Sequence, residues 1–243
     1  MGKLNVVGIG PGNYENMTIR ADKALKNSDI IIGYHVYVEL IKDIYPDKEY
    51  LTTAMTQEAE RCRMALNKAE EGKEVSLVCS GDSGIYGMAA LAFELRGEKT
   101  EPQIEVIPGL TAACSGGALL GAPLTHDFAV ISLSDRLTPW EKIEQRLECA
   151  AKADLSIVIY NPCSKGRPEH LKKACDILLK YLPGDRVCGI AENIGREGES
   201  RRILSLRELR EAQLNMFCTV FVGNEMSLEL GENMLTPRGY KNV

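Results

Sequence analysis

The sequence predicts an α/β protein made of two successive domains. Two features carry that expectation. Short apolar runs of strand length alternate with longer helix-spaced segments from residue 4 to about Pro123, and the alternation starts again after Thr125-His126-Asp127. The joint between the two series holds Gly121 and Pro123, so the expected domains are residues 1–123 and 124–243.

In the first series Leu4-Asn5-Val6-Val7-Gly8-Ile9 reads as a strand, and Thr18 to Ser28 as a helix with Ile19, Ala21, Ala24 and Leu25 on one side. Asp29 to Gly33 is the second strand, leading through Tyr34-His35-Val36-Tyr37 into a short helix ending near Ile44. A long amphipathic helix opens at Thr56, carries Glu58 and Glu60 in its first turn where negative charge suits the helix dipole, and stops at Gly72. Val75 to Val78 is a buried strand, Met88 to Leu95 a helix, and Ile104 to Ile107 a further strand closed by Pro108-Gly109. The helix that follows, through Thr111-Ala112-Ala113-Cys114-Ser115-Gly116-Gly117-Ala118, has such small side chains that another helix or a ligand is expected close against it.

In the second series Phe128 to Leu133 is a strand and Pro139 to Ala151 a helix with proline in its first turn. Leu155 to Tyr160 is a strand, Glu169 to Leu182 a helix, and Arg186 to Ala191, Arg201 to Leu204 and Cys218 to Val222 are strands.

A net charge of −5 argues against nonspecific binding to nucleic acid or to an anionic membrane surface. No apolar run is long enough to span a bilayer and the N-terminus enters a strand directly, so a cytoplasmic protein is expected. Eight cysteines form no C-x-x-C pair and match no zinc spacing with His35, His126 or His170; they read as small core residues, and no metal site is expected.

The chemistry-bearing candidates are loops. Ser80-Gly81-Asp82-Ser83-Gly84-Ile85-Tyr86-Gly87 follows a strand, is rich in residues that let a ligand approach the backbone, and holds one carboxylate. Taken alone it is equally readable as a strand-to-helix turn with Asp82 as the N-cap. Gly8-Ile9-Gly10-Pro11-Gly12 invites comparison with a dinucleotide fingerprint and departs from it: Asn13 replaces the third glycine, Pro11 offers no N–H, and no acidic residue follows the second strand. A side-chain-poor edge for a flat ligand fits these residues better than a phosphate cradle does.

Gly8–Gly12, Ser80-Gly81-Asp82 with Ile85-Tyr86-Gly87, and Pro108-Gly109-Leu110-Thr111-Ala112-Ala113 together resemble the tetrapyrrole (corrin/porphyrin) methylase family. Ile131-Ser132-Leu133-Ser134-Asp135, Thr138-Pro139-Trp140-Glu141, Tyr160-Asn161-Pro162 with Ser164–Arg167, and Asn193–Glu199 resemble one branch of it, the C(17)-methyltransferases of cobalamin synthesis that act on precorrin-3B. The resemblance runs from residue 3 to about 228. It implies two α/β domains with S-adenosylmethionine in the cleft between them, a tetrapyrrole substrate with or without cobalt, methylation at carbon 17 coupled to ring contraction, and a homodimer. Carried over by residue, it implies cofactor contacts at Pro11, Gly81, Asp82, Ser83, Ile85, Thr111, Ala112, Asn161 and Asn193.

Proton transfer for the ring contraction has polar candidates in His126, Asp127, Ser132 and Asp135, with Tyr86 and Glu199 behind them. Lys165, Arg167, Arg196, Arg201 and Arg202 are candidates for the substrate carboxylates. Another tetrapyrrole methylase, such as a uroporphyrinogen methylase, and a non-catalytic corrinoid-binding module are the competing readings. The Tyr160–Pro162 and Asn193–Glu199 motifs favour the C(17) branch over the first, and the intact cofactor loops disfavour the second.

Overall fold

The computed structural model describes residues 2–164 and 166–241. They divide into two compact units, Met1–Thr111 and Ala112–Val243. The small-residue helix expected to close the first domain therefore goes with the second.

The first unit alternates strictly: β1 (Lys3–Gly8), a 3-10 turn (Tyr14–Asn16), α1 (Ile19–Asn27), β2 (Ile30–Tyr34), α2 (His35–Glu39), β3 (Glu49–Thr53), α3 (Glu58–Glu70), β4 (Glu74–Cys79), α4 (Ala89–Arg96) and β5 (Gln103–Ile107). The sheet order is β3-β2-β4-β1-β5 and every pairing is parallel. Successive side chains point to opposite faces, and both faces are covered, which is why the central strands are apolar throughout. Leu4, Val6, Ile30, Ile32 and Leu77 meet α3 and α4 on one face. Val7, Ile31 and Val78 meet α1 and α2 on the other. Thr18 caps α1 by accepting the Ala21 amide. The edge strand β3 was not expected, because Glu-Tyr-Leu-Thr-Thr is half polar and lacks an apolar run. The α3 helix starts later than Thr56, which adopts a left-handed φ of 73° and belongs to the approach.

The second unit comprises α5 (Ala112–Leu120), β6 (Gly121–Ala122), β7 (Phe128–Ser132), α6 (Trp140–Lys152), β8 (Ser156–Tyr160), α7 (His170–Leu178), β9 (Val187–Glu192), β10 (Ser200–Ser205), α8 (Leu206–Glu211), β11 (Cys218–Val222), β12 (Leu228–Leu230) and β13 (Asn233–Leu235). Its main sheet runs β10-β9-β11-β8-β7; β7 and β8 are parallel, while β11 is antiparallel to both its neighbours and β10 to β9. The α6, α7 and α8 helices cover one face through Ile131, Ile157, Ile159, Ile190 and Val220. The α5 helix covers the other. The sheet and the loop after β9 lie close against α5: a Cβ on Gly116 would sit 3.0 Å from the Phe221 ring and from Ile194 Cδ1. A ladder of β12, β13 and β6 closes the unit.

Five of the eight cysteines are buried and all eight are free. Burial pushes the Cys62 thiol up to about 11 and those of Cys79 and Cys175 to about 12, so these thiols behave as core side chains. Among the described residues no helix is long and apolar enough to cross a membrane, and no three His, Cys, Asp or Glu side chains are grouped to hold a metal.

Candidate functional site

In the first unit three loops leave the carboxyl ends of the adjacent strands β4, β1 and β5, the edge of an open parallel sheet where ligands are held. Their backbones interlock. Gly10 and Gly81 form an antiparallel bridge, with Gly10 N donating to Gly81 O at 3.1 Å and Gly81 N to Gly10 O at 2.7 Å. Both glycines have left-handed φ, 75° and 68°. Gly109 packs so tightly between the other two loops that a Cβ there would lie 2.1 Å from Gly81 O and 2.6 Å from Gly8 C.

Asp82 is the hub of this knot. Its Oδ1 accepts the Gly84 and Ile85 amides at 2.8 and 3.0 Å, and its Oδ2 accepts the Gly109 amide at 2.9 Å. It is not a helix N-cap, since α4 begins only at Ala89. Ser83 is 0% exposed. Its hydroxyl donates to Ile107 O at 2.9 Å, so it anchors the loop from below instead of lining its surface. Pro11 is buried, whereas Ile85 and Tyr86 stand out from the loop at 42% and 56% exposure. Tyr86 takes a left-handed φ of 54° at the loop tip. Thr111 closes the unit and is half-buried.

The second unit gathers a separate polar set at the carboxyl ends of β7, β8 and β9. Asn161, held at a left-handed φ of 52°, donates from Nδ2 to Ser132 Oγ at 2.9 Å. Ser132 Oγ also accepts the Ser134 amide at 3.2 Å. The Tyr160 hydroxyl accepts the Ala113 amide at 2.7 Å, tying the start of α5, next to half-buried Ala112, to the end of β8. Asn193 follows β9, also left-handed at φ 50°, and donates to Gly198 O at 3.4 Å. Glu199 accepts the Gly195 amide at 2.6 Å and so braces the same loop.

Asp135, further along the loop after β7, pairs with His170 Nε2 at 2.9 Å and with Arg167 Nη1 at 3.9 Å. The His170 hydrogen bond holds the Asp135 carboxyl below its usual value. His170 is buried, opens α7 and meets the Trp140 ring edge-on at 4.9 Å between centroids. The sequence does not mark His170 out, because its partner stands 35 positions away and no spacing rule links them.

The four candidate proton-transfer residues do not come together. His126 and Asp127 are exposed and precede β7. Ser132 ends that strand and Asp135 follows it, so the two pairs are separated by a five-residue strand of about 17 Å. His126 Nε2 donates to Pro237 O at 2.8 Å, and Asp127 O accepts the Ser156 amide, which makes both part of the opposite rim.

Among the basic candidates, Arg167 is engaged with Asp135 and Ser164, and Arg201 donates to Leu119 O and Asn233 Oδ1. Arg196 lies over the Phe217 ring and Arg202 is exposed. Lys165 lies outside the described residues.

Comparison with known proteins agrees with this architecture. The family model described as Tetrapyrrole (Corrin/Porphyrin) Methylases matches residues 3–210. A "Cobalt-factor III methyltransferase" of Priestia megaterium is 44% identical over 99% of this chain, which spans 45% of that longer relative. A "Probable cobalt-factor III C(17)-methyltransferase" of Salmonella typhimurium is 42% identical over 98% of this chain and 99% of its own length. The crystal structure of the methyltransferase CobJ superposes with a TM-score of 0.90 at 33% identity, covering 98% of this chain and all of that one. The chain belongs to the tetrapyrrole (corrin/porphyrin) methylase family.

Proposed function

We propose that this chain is an S-adenosylmethionine-dependent methyltransferase of cobalamin synthesis that methylates carbon 17 of a cobalt-factor III or precorrin-3B macrocycle, with accompanying ring contraction. The observation that carries the cofactor assignment is the use of the loop amides. Gly10, Gly81, Gly84, Ile85 and Gly109 all donate within the protein, and Pro11 has no N–H. No array of amides from these residues is left over for a phosphate, whereas backbone carbonyls, the remaining acceptor capacity of Asp82 and the exposed Ile85 side chain suit an ammonium, ribose hydroxyls and an adenine. S-adenosylmethionine has those groups and no phosphate. When bound, it supplies the methyl group to the ring carbon.

The chain's own part in that transfer is positioning and exclusion of water. On this reading Pro11, Gly81, Asp82, Ile85 and Thr111 form the cofactor wall of the first unit, and Ser83 holds it in place. Ala112, Asn161 and Asn193 are the candidate contacts of the second unit. Among the proton-transfer candidates the reading keeps Ser132 and Asp135, which share a sheet end with Asn161, and leaves out His126 and Asp127. The C(17) assignment and cobalt as part of the substrate rest on the relatives' names. A homodimer and a cytoplasmic site of action are the expected setting.

The test is incubation with methyl-labelled S-adenosylmethionine and cobalt-factor III or metal-free precorrin-3B. One label should appear on the macrocycle at carbon 17. Label on a different carbon would move the protein to another branch of the family, and no label on any tetrapyrrole would sink the assignment.

A further inference from the structure

The first unit buries one guanidinium without a counter-charge. Arg61, in the first turns of α3, is 3% exposed, and no carboxylate among the described residues pairs with it. Its Nε donates to Thr53 Oγ1 at 2.8 Å, its Nη2 to Ala54 O at 2.9 Å, and its Nη1 to Met88 Sδ at 3.4 Å. The guanidinium also stands 5.9 Å from the centre of the Tyr34 ring. Burying an ion among neutral acceptors is costly, and a thioether is among the weakest acceptors a guanidinium can take. A residue needed only to fill this space could be a methionine or leucine, so the position of the charge calls for another explanation.

The partners supply one. Thr53 and Tyr34 end β3 and β2, and Met88 is the residue from which α4 starts. The Ser80–Gly87 loop is fastened near its start by the Gly10 bridge and by Asp82, and from below by Ser83, whose carbonyl also receives the Ala89 amide at 3.0 Å. Its far end, past the exposed tip at Ile85 and Tyr86, is joined through Met88 to Arg61 and from there to the exits of β2 and β3. The planar fork of arginine meets three acceptors in fixed directions, which a lysine cannot do.

We propose that Arg61 is a positioning residue of the methyl-donor site, holding the far end of the Ser80–Gly87 loop through Met88 against the ends of β2 and β3. The inference rests on the cofactor reading above and adds to it a residue on a helix that no motif of the loop announces. It acts through the loop, so its removal raises the Kd for S-adenosylhomocysteine and the KM for S-adenosylmethionine while the KM for the tetrapyrrole stays within about twofold.

The experiment uses calorimetric titration of the full chain with S-adenosylhomocysteine, alongside thermal unfolding, for the wild type, Arg61→Met, Arg61→Lys, Met88→Leu and the Arg61→Met/Met88→Leu double variant. Met88→Leu keeps side-chain volume and removes only the sulfur acceptor, so it folds even if Arg61→Met does not. Expected are an affinity loss of at least tenfold for Arg61→Met, little rescue by Arg61→Lys, at least threefold for Met88→Leu, and a double variant no weaker than Arg61→Met alone, as two ends of one link require. Unchanged affinity in folded Met88→Leu, or losses that multiply in the double variant, would overturn the proposal. A wild-type chain that bound no S-adenosylhomocysteine would instead overturn the proposed cofactor, and this inference with it.

Discussion

The Asp82 carboxylate reaches across two loops to hold Gly109: Oδ2 takes the Gly109 amide at 2.9 Å while Oδ1 keeps Gly84 and Ile85 folded back on their own turn. One side chain thus sets the separation of the β4 and β5 exits. Asp82→Ala releases three amides at once and is expected to weaken S-adenosylhomocysteine binding at least tenfold, with a loss of about 1–3 kcal/mol in folding stability. Asp82→Asn keeps the Oδ1 contacts and sets an NH2 against the Gly109 N–H, so it should lose affinity while unfolding later than the alanine variant. Titration calorimetry and urea unfolding read the two effects separately; an Asp82→Ala protein with wild-type affinity would remove the carboxylate from the site.

Gly109 gives the steric counterpart. Because its Cβ would fall 2.1 Å from the Gly81 carbonyl, Gly109→Ala must push the two loops apart. A loss near 3 kcal/mol is expected, at the upper end of what overpacking costs. The control is Gly166→Ala, where a Cβ meets nothing within 4 Å; it should change stability by less than about 0.5 kcal/mol. Urea unfolding of the two variants side by side checks the contrast.

In the second unit the Asn161–Ser132 hydrogen bond is open to a double-mutant cycle. Asn161→Gly preserves access to the left-handed backbone at φ 52° and deletes only the side chain. With Ser132→Ala it should show a coupling of about 1 kcal/mol in unfolding free energy, the usual worth of such a bond. Methyl transfer should fall in each single variant and no further in the double. Additive losses in rate would separate the two residues functionally.

Acid stability carries a signature of Asp135. Its hydrogen bond with His170 lowers the carboxyl below the usual 3.8, so the pair stabilises the fold above that value and the contribution disappears as the pH falls through the depressed one. The difference in Tm between wild type and Asp135→Asn is therefore expected to be full at neutral pH and to shrink to nothing in strong acid. Because Asp135 is partly exposed, the difference should be small and should decrease with added salt. A Tm difference constant across the whole pH range would exclude ionisation of Asp135 as its source.

His126→Ala and Asp127→Ala make the complementary case. Both residues stand at the amino end of β7, a strand's length from Ser132 and Asp135, and each single variant should retain methyl transfer within about threefold, measured by label incorporation.

Most of the frame was legible from periodicity. Val6 beside Val7 and Ile31 between Ile30 and Ile32 go to opposite faces, so both layers of helices could be expected from strands that are apolar on two sides. What escaped was of two kinds. The β3, β12 and β13 strands are short or half polar: β12 and β13 form a hairpin of three-residue strands, and β13 is paired on its other side with β6, more than a hundred residues earlier. The other kind was direction and distance: Ser132 and Asp127 are near in sequence yet lie at opposite ends of one strand, whereas Asp135 and His170, or Arg61 and Met88, meet only in the fold. The loop motifs were readable because glycine, proline and aspartate have local consequences; the residues that brace those loops have no such mark.

The mutual contact of Gly8, Gly81 and Gly109 bears on how such a protein can change its substrate range. Gly8 and Gly109 leave no room for a side chain against the neighbouring backbone, and Gly81 holds a left-handed φ of 68°, so drift at these three positions is disfavoured. Variation is left to the outward side of the same loop, at exposed Gly84 and Tyr86, which are not among the residues proposed to touch the methyl donor. A directed-evolution library is best spent there and on the strand ends of the second unit. A new macrocycle specificity can then be selected without disturbing the wall proposed for the methyl donor.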